Sequence, residues 1–140
     1  MSKEVYNKIV TKLEHLDEYL GYLKDLQGVN EKVFTGDYHF FGLAERYFQL
    51  AIESILDVGK LVILDRQLPR PEDNQDIFVV LHDAGFLGDE LADRLSGIAN
   101  FRNILVHEYE KIDRKIVYSK LQKNLDDFFD FRKSVLRKIS

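Results

Sequence analysis

The 140-residue sequence has no cysteine, no tryptophan and only two prolines. Without cysteine there is no disulfide framework, no thiolate metal site and no thiol nucleophile. Both prolines, Pro69 and Pro71, fall in one short stretch, so nothing elsewhere breaks a long helix. No apolar run approaches the roughly 18 residues of a membrane span. The opening residues, Met1-Ser2-Lys3-Glu4-Val5-Tyr6, carry no apolar signal core, and a cytoplasmic protein is expected. Strand signals are nearly missing too. Only Ile77-Phe78-Val79-Val80-Leu81 has the composition of a buried strand, and a lone strand has nothing to pair with.

What is there suits one packed domain over residues 1–140. Hydrophobic residues make up 45% and charged residues 31%, a balance that can bury a core and is not that of a disordered chain. The net charge of −4 argues against indiscriminate nucleic-acid binding. Charge is uneven, however: from Asp113 to Ser140 eight Lys and Arg stand against four Asp. That tail reads either as a solvated helix face complementing the helix dipole or as a path for an anionic ligand.

Apolar residues recur at intervals of three and four, the helical period. A first helix is expected over 3–26, with Ile9, Leu13, Leu16, Leu20 and Leu23 as its buried stripe. A long second helix should cover 37–66, with one row of Leu43, Tyr47, Leu50 and Leu61 beside another of Ala44, Phe48, Ala51, Ile55, Val58 and Val62. A short helix over 72–84 stops at Gly85, a fourth runs over 88–109, and Asp113 caps a last one that continues to 138. The result is an all-α fold, an antiparallel bundle of four main helices plus one short helix.

The fourth helix breaks its own pattern. Leu91, Leu95, Ile98, Arg102, Leu105 and Tyr109 follow spacings of 4, 3, 4, 3 and 4, so all six project to one side. Arg102 therefore interrupts an apolar seam, and a guanidinium there requires a carboxylate or a bound anion. Asp57 on the second helix continues the row Leu43, Tyr47, Leu50, Ser54 and points partly inward, with Glu53 one turn earlier. An internal ion pair with Asp57 or Glu53 is the structural explanation of Arg102, and an anionic ligand is the functional one.

His107 lies five residues after Arg102, about 140° around the helix, and Asn103 is one turn before His107 on its own face. Arg102 and His107 thus flank Val106, the arginine toward the core and Asn103 and His107 toward the rim. Within one bundle this is an awkward active site. In a symmetric dimer packed through these helices, two copies of each residue converge on one cleft.

The segment Phe101-Arg102-Asn103-Ile104-Leu105-Val106-His107-Glu108-Tyr109, followed by Ile112-Asp113 and Val117-Tyr118, resembles the signature of HepT-like toxins in the HEPN superfamily of helical ribonucleases. Arg46-Tyr47-Phe48-Gln49-Leu50-Ala51-Ile52-Glu53 with Asp57 is similar to that family's second helix, and Leu81-His82-Asp83-Ala84-Gly85-Phe86-Leu87 with Glu90-Leu91-Ala92 to its central helices. The resemblance implies a HEPN-like fold and a homodimer that cleaves RNA without a metal. It makes Arg102 and His107 catalytic, Asn103 an auxiliary polar residue and Tyr109 a modification site. It also implies a toxin–antitoxin pair, in which an MntA-like minimal nucleotidyltransferase silences the toxin by transferring AMP to the tyrosine.

No cofactor is expected. His15, His39 and His82 lie in different elements and no His-x-x-x-His or Glu-x-x-His pair occurs, so no metal site is expected either. Two other readings stay open on the sequence. One is a non-catalytic helical module that binds a nucleotide or assists a nucleotidyltransferase. The other is a purely structural subunit in which Arg102 serves only an internal ion pair with Asp57.

Overall fold

The computed structural model describes residues 1–107 and 112–140, and among these it contains seven helices and no strand. Helix α1, Lys3–Leu26, starts where the Ser2 hydroxyl accepts from the Val5 N–H at 3.2 Å, a cap worth about 1 kcal/mol. Its buried residues are Ile9, Leu13, Leu16, Leu20 and Leu23, the stripe the period predicts. Helix α3, Tyr38–Asp65, is capped by Asp37 and lies antiparallel to α1. Lys12 meets Asp57, whereas the Tyr22 ring meets that of Tyr47 at 4.7 Å, so rising numbers on α1 face falling numbers on α3. Of the two rows expected on α3, Ala44, Phe48, Ala51, Ile55, Val58 and Val62 are buried. The other row is less covered: Tyr47, Leu50 and Leu61 are partly buried and Leu43 is half exposed.

Residues 77–81 belong to helix α4, Asn74–Asp83, capped by Asp73. Their helical period buries Ile77, Phe78, Val80 and Leu81 while Val79 faces out. Helix α4 approaches α3 closely at Gly59, where an added Cβ would lie 2.6 Å from Ile77 Cγ2. Gly85, at φ +85°, turns the chain toward helix α5, Asp89–His107. The α4–α5 hairpin is antiparallel: Gln75 Nε2 donates to the Ser96 carbonyl at one end, and His82 Nε2 meets Asp89 at the other.

Two features depart from the sequence expectation. Helix α2, Glu31–Gly36, is additional. It spans less than two turns between glycines, too short for a period to register. Tertiary packing stabilises it: Phe34 is buried with its ring 5.1 Å from that of Tyr118, whose hydroxyl donates to the Val29 carbonyl at 2.8 Å. The single helix expected over 113–138 is instead two, α6, Arg114–Lys123, and α7, Leu125–Ile139. Asn124 leaves helical geometry at φ −116°, and its amide nitrogen lies 3.2 Å from Asp127 Oδ2. Asp127 is buried and its other oxygen accepts from Arg94 Nε of α5 at 2.7 Å. That cross-helix clamp fixes the start of α7 and lets the two halves of the segment pack in different directions.

The His82 imidazole touches two carboxylates, Asp89 and Asp83. The hydrogen bond to Asp89, then that to Asp83, raises its pKa above the ordinary 6.5. Its contribution to stability is therefore complete below about pH 6.5 and is lost as pH rises through the elevated value. The expected outcome is a wild-type melting temperature that declines from pH 6 to pH 8, with a flatter profile in His82→Gln, read by circular dichroism melts in constant-ionisation-heat buffers.

Candidate functional site

Arg102 occupies the seam of α5 between Ile98 and Leu105, both buried. Its side chain is not sealed in and keeps 23% of its surface exposed. Nη2 donates to Glu53 Oε1 at 3.3 Å, and that oxygen also accepts from Gln49 Nε2 at 3.2 Å. Glu53 itself is 34% exposed, so the pair lies at the edge of the bundle, where one hydrogen bond orients the guanidinium without consuming its donors. Nε is buried and has no acceptor among the described residues.

The partner of Arg102 is thus Glu53. Asp57 does not reach it and instead accepts from Lys12 of α1 at 3.1 Å. The four-residue step from Glu53 to Asp57 rotates the side chain about 40° around α3, enough to turn it from α5 toward α1. An internal Arg102–Asp57 pair, required by the purely structural reading, is therefore replaced by two separate pairs.

Asn103 and His107 are exposed, and Val106 between Arg102 and His107 is partly covered. His107 is the last residue of α5 within the described range. Within two turns the helix thus presents one partly shielded cation and two exposed polar groups, Asn103 and His107 on one face and Arg102 about 140° around from His107. Tyr109 lies outside the described residues.

Three groups, Gln49, Arg114 and Glu45, have no role expected from the sequence. Gln49 shares the Glu53 oxygen with Arg102. Arg114, at the start of α6, stacks its guanidinium over the Phe41 ring at 3.8 Å. Glu45, on the same face of α3, is partly desolvated, which raises its carboxyl pKa, and the charge of Arg114 opposes the rise. The signal for this set is the spacing Glu45, Gln49, Glu53, three polar side chains one turn apart on a helix otherwise read for its leucines. No group of three or more His, Cys, Asp or Glu able to hold a metal occurs among the described residues, and none of the helices described is long and apolar enough to cross a membrane.

Chemically, this end of α5 offers a fork of N–H donors suited to phosphate oxygens and an exposed imidazole able to give or take a proton. Comparison with known proteins bears on the family. A family model described as "Ribonuclease HepT-like" matches residues 13–135. A "tRNA nuclease HepT" of Aphanizomenon flos-aquae is 27% identical over 110 residues, covering 79% of this chain and 75% of that protein. An "mRNA nuclease HepT" of Shewanella oneidensis is 30% identical over 83 residues, covering 59% of this chain and 62% of that protein. Among solved structures, the tri-AMPylated Shewanella oneidensis HEPN toxin in complex with MNT antitoxin superposes with a TM-score of 0.83 at 24% identity, covering 98% of this chain and 99% of the other.

Proposed function

This chain belongs to the HepT-like ribonuclease family and is an endoribonuclease; from that premise we propose that it is the toxin of a toxin–antitoxin pair, cutting RNA without a metal at a site built from Arg102, Asn103 and His107 of two copies. The observation that carries this reading is the placement of Arg102: partly open to solvent, held from one side by Glu53, within two helical turns of the exposed Asn103 and His107.

The reaction requires only proton transfer and charge stabilisation. A ribose 2′-oxygen attacks the adjacent phosphorus, the bond from phosphorus to the 5′-oxygen breaks, and a 2′,3′-cyclic phosphate forms. One His107 imidazole takes the 2′-hydroxyl proton, and the imidazole of the second copy returns a proton to the departing 5′-oxygen. Arg102 faces the non-bridging oxygens, where negative charge builds in the transition state. Asn103 donates a further hydrogen bond to the phosphate. Dimer symmetry supplies the acid and the base from a single type of residue.

Incubating purified protein with RNA in EDTA tests this. Cleavage that disappears in Arg102→Ala and His107→Ala supports it; intact RNA together with tight nucleotide binding would favour a non-catalytic module.

The partner in this reading is an MntA-like nucleotidyltransferase, and the modified residue is Tyr109, two residues beyond His107. AMP attached there adds bulk and negative charge beside the Arg102–His107 segment and repels an anionic substrate. Incubation with such a partner and ATP is expected to increase the mass of the wild-type chain by whole AMP units and to leave Tyr109→Phe unchanged. An unmodified wild-type mass would eliminate this switch.

A further inference from the structure

A groove of about 770 Å³ runs between α1 and α3 on the face where Asp57 meets Lys12. Its walls carry Lys8 and Lys12 from α1 and Lys60 from α3, with His15 at one end and Leu61 and Leu64 on the α3 side. Two carboxylates also line it, and both are engaged: Asp57 by Lys12 at 3.1 Å and Glu4 by Lys8 at 3.6 Å. Lys60 is exposed and has no acidic partner among the described residues. Three ammonium groups against two carboxylates leave this groove one positive charge, on a chain whose net charge is −4; the Lys8–Glu4 and Lys12–Asp57 pairs are open to solvent and weak enough to yield to a phosphate.

The groove adjoins the arginine site through α3. Glu53, which orients Arg102, and Lys60 are seven residues apart. This is two turns, so they share one face of the helix with a separation of about 10 Å along its axis. Asp57 and Lys12 lie between them. Asp57, one turn after Glu53, lines the groove, so a polyanion with one phosphate at Arg102 need cross only about one turn of α3 to meet Lys12 and then Lys8 and Lys60. The exposed side chain of Leu64, 77% accessible, gives the far end an apolar surface for a base or ribose face.

We infer that the α1–α3 groove is the track for the single-stranded RNA leading away from the cleavage point, with Lys8, Lys12 and Lys60 gripping phosphates. The inference rests on the ribonuclease reading above and extends it. Phosphate grips of this kind set affinity and register and carry no base preference, so the groove favours long substrates over short ones irrespective of sequence.

The test measures binding apart from cleavage. A fluorescein-labelled 2′-O-methyl oligoribonucleotide, which lacks the attacking hydroxyl, is titrated with wild type and with the double variant Lys8→Gln/Lys60→Gln, by anisotropy across a salt series. Lys12 is left in place because its removal would strand Asp57. The double variant is expected to bind about tenfold more weakly, with the slope of log affinity against log salt reduced by about 1.4, or about 0.7 for each phosphate that is no longer neutralised. Lys60→Arg should retain wild-type affinity. Equal affinity and equal slope in the double variant would overturn the proposal. So would weaker binding accompanied by a drop in particle mass by light scattering, which would assign this face to packing between copies. Wild type that binds through the groove yet leaves ordinary RNA intact would sink the nuclease reading and leave the groove standing.

Discussion

Replacing His107 with alanine is expected to reduce RNA cleavage by about 10²–10⁴-fold, the usual contribution of a positioned general acid or base, while leaving the fold intact. The second half of that expectation follows from its position. His107 is exposed at the end of α5, and surface substitutions away from caps and buried networks usually change stability by no more than about 0.5 kcal/mol. Single-turnover cleavage in EDTA, paired with a thermal melt, measures both. Arg102→Ala is a less clean probe. It removes the charge proposed to face the phosphate, but it also releases Glu53, whose remaining described partner is Gln49. Loss of activity in that variant mixes chemistry with local rearrangement, whereas in His107→Ala it does not. Cleavage at the wild-type rate in a normally melting His107→Ala would remove the imidazole from the mechanism.

Among the charged residues described, the largest effect on stability is expected at Asp127. Its side chain is only 7% exposed, and its two oxygens are held by Arg94 Nε at 2.7 Å and Asn124 Nδ2 at 3.2 Å. Removing one partner of a buried ion pair costs about 3–5 kcal/mol when the other charge stays buried. Arg94 keeps 43% of its side chain open to solvent and can rehydrate, so Asp127→Ala should fall below that range, at about 2–3 kcal/mol. For a domain of this size the change corresponds to a melting temperature lower by roughly 5–12 °C. The variant also removes the clamp that sets the α6–α7 break, so hydrogen exchange should accelerate first in the opening turn of α7. A melting temperature within a degree or two of wild type would mean that the clamp contributes geometry without stability.

These two sites differ in how they can be found. The Arg102–His107 segment is legible in the sequence because α5 has a strict apolar period and Arg102 violates it. A violation stands out only against a regular background. Asp127 has no such signal. Within Leu125–Ile139 it reads as one more carboxylate in the first turn of a helix, where acidic residues are ordinary. Its burial depends on Arg94, 33 residues earlier, and no local pattern carries that distance. The same limit explains α2: Asn30 is a recognisable cap, yet a six-residue helix exists only because Phe34 finds the Tyr118 ring.

The choice between Glu53 and Asp57 is the finest example. Both stand near the seam of Arg102 by periodicity, and a helical wheel separates them by only about 40°. The direction from which α5 approaches α3 decides that Glu53 takes the guanidinium, and the antiparallel pairing with α1 decides that Asp57 takes Lys12.

By itself the sequence determined an all-helical chain, the buried stripes of α1, α3 and α5, and the residues of the Arg102–His107 segment, because periodic burial and its interruption are local properties of neighbouring turns. Which charges pair, where the last segment divides, and that lysines of α1 and α3 line one groove came from tertiary structure. Those features arise from the angles and registers at which helices distant in the chain meet, and each helix taken singly is compatible with several of them.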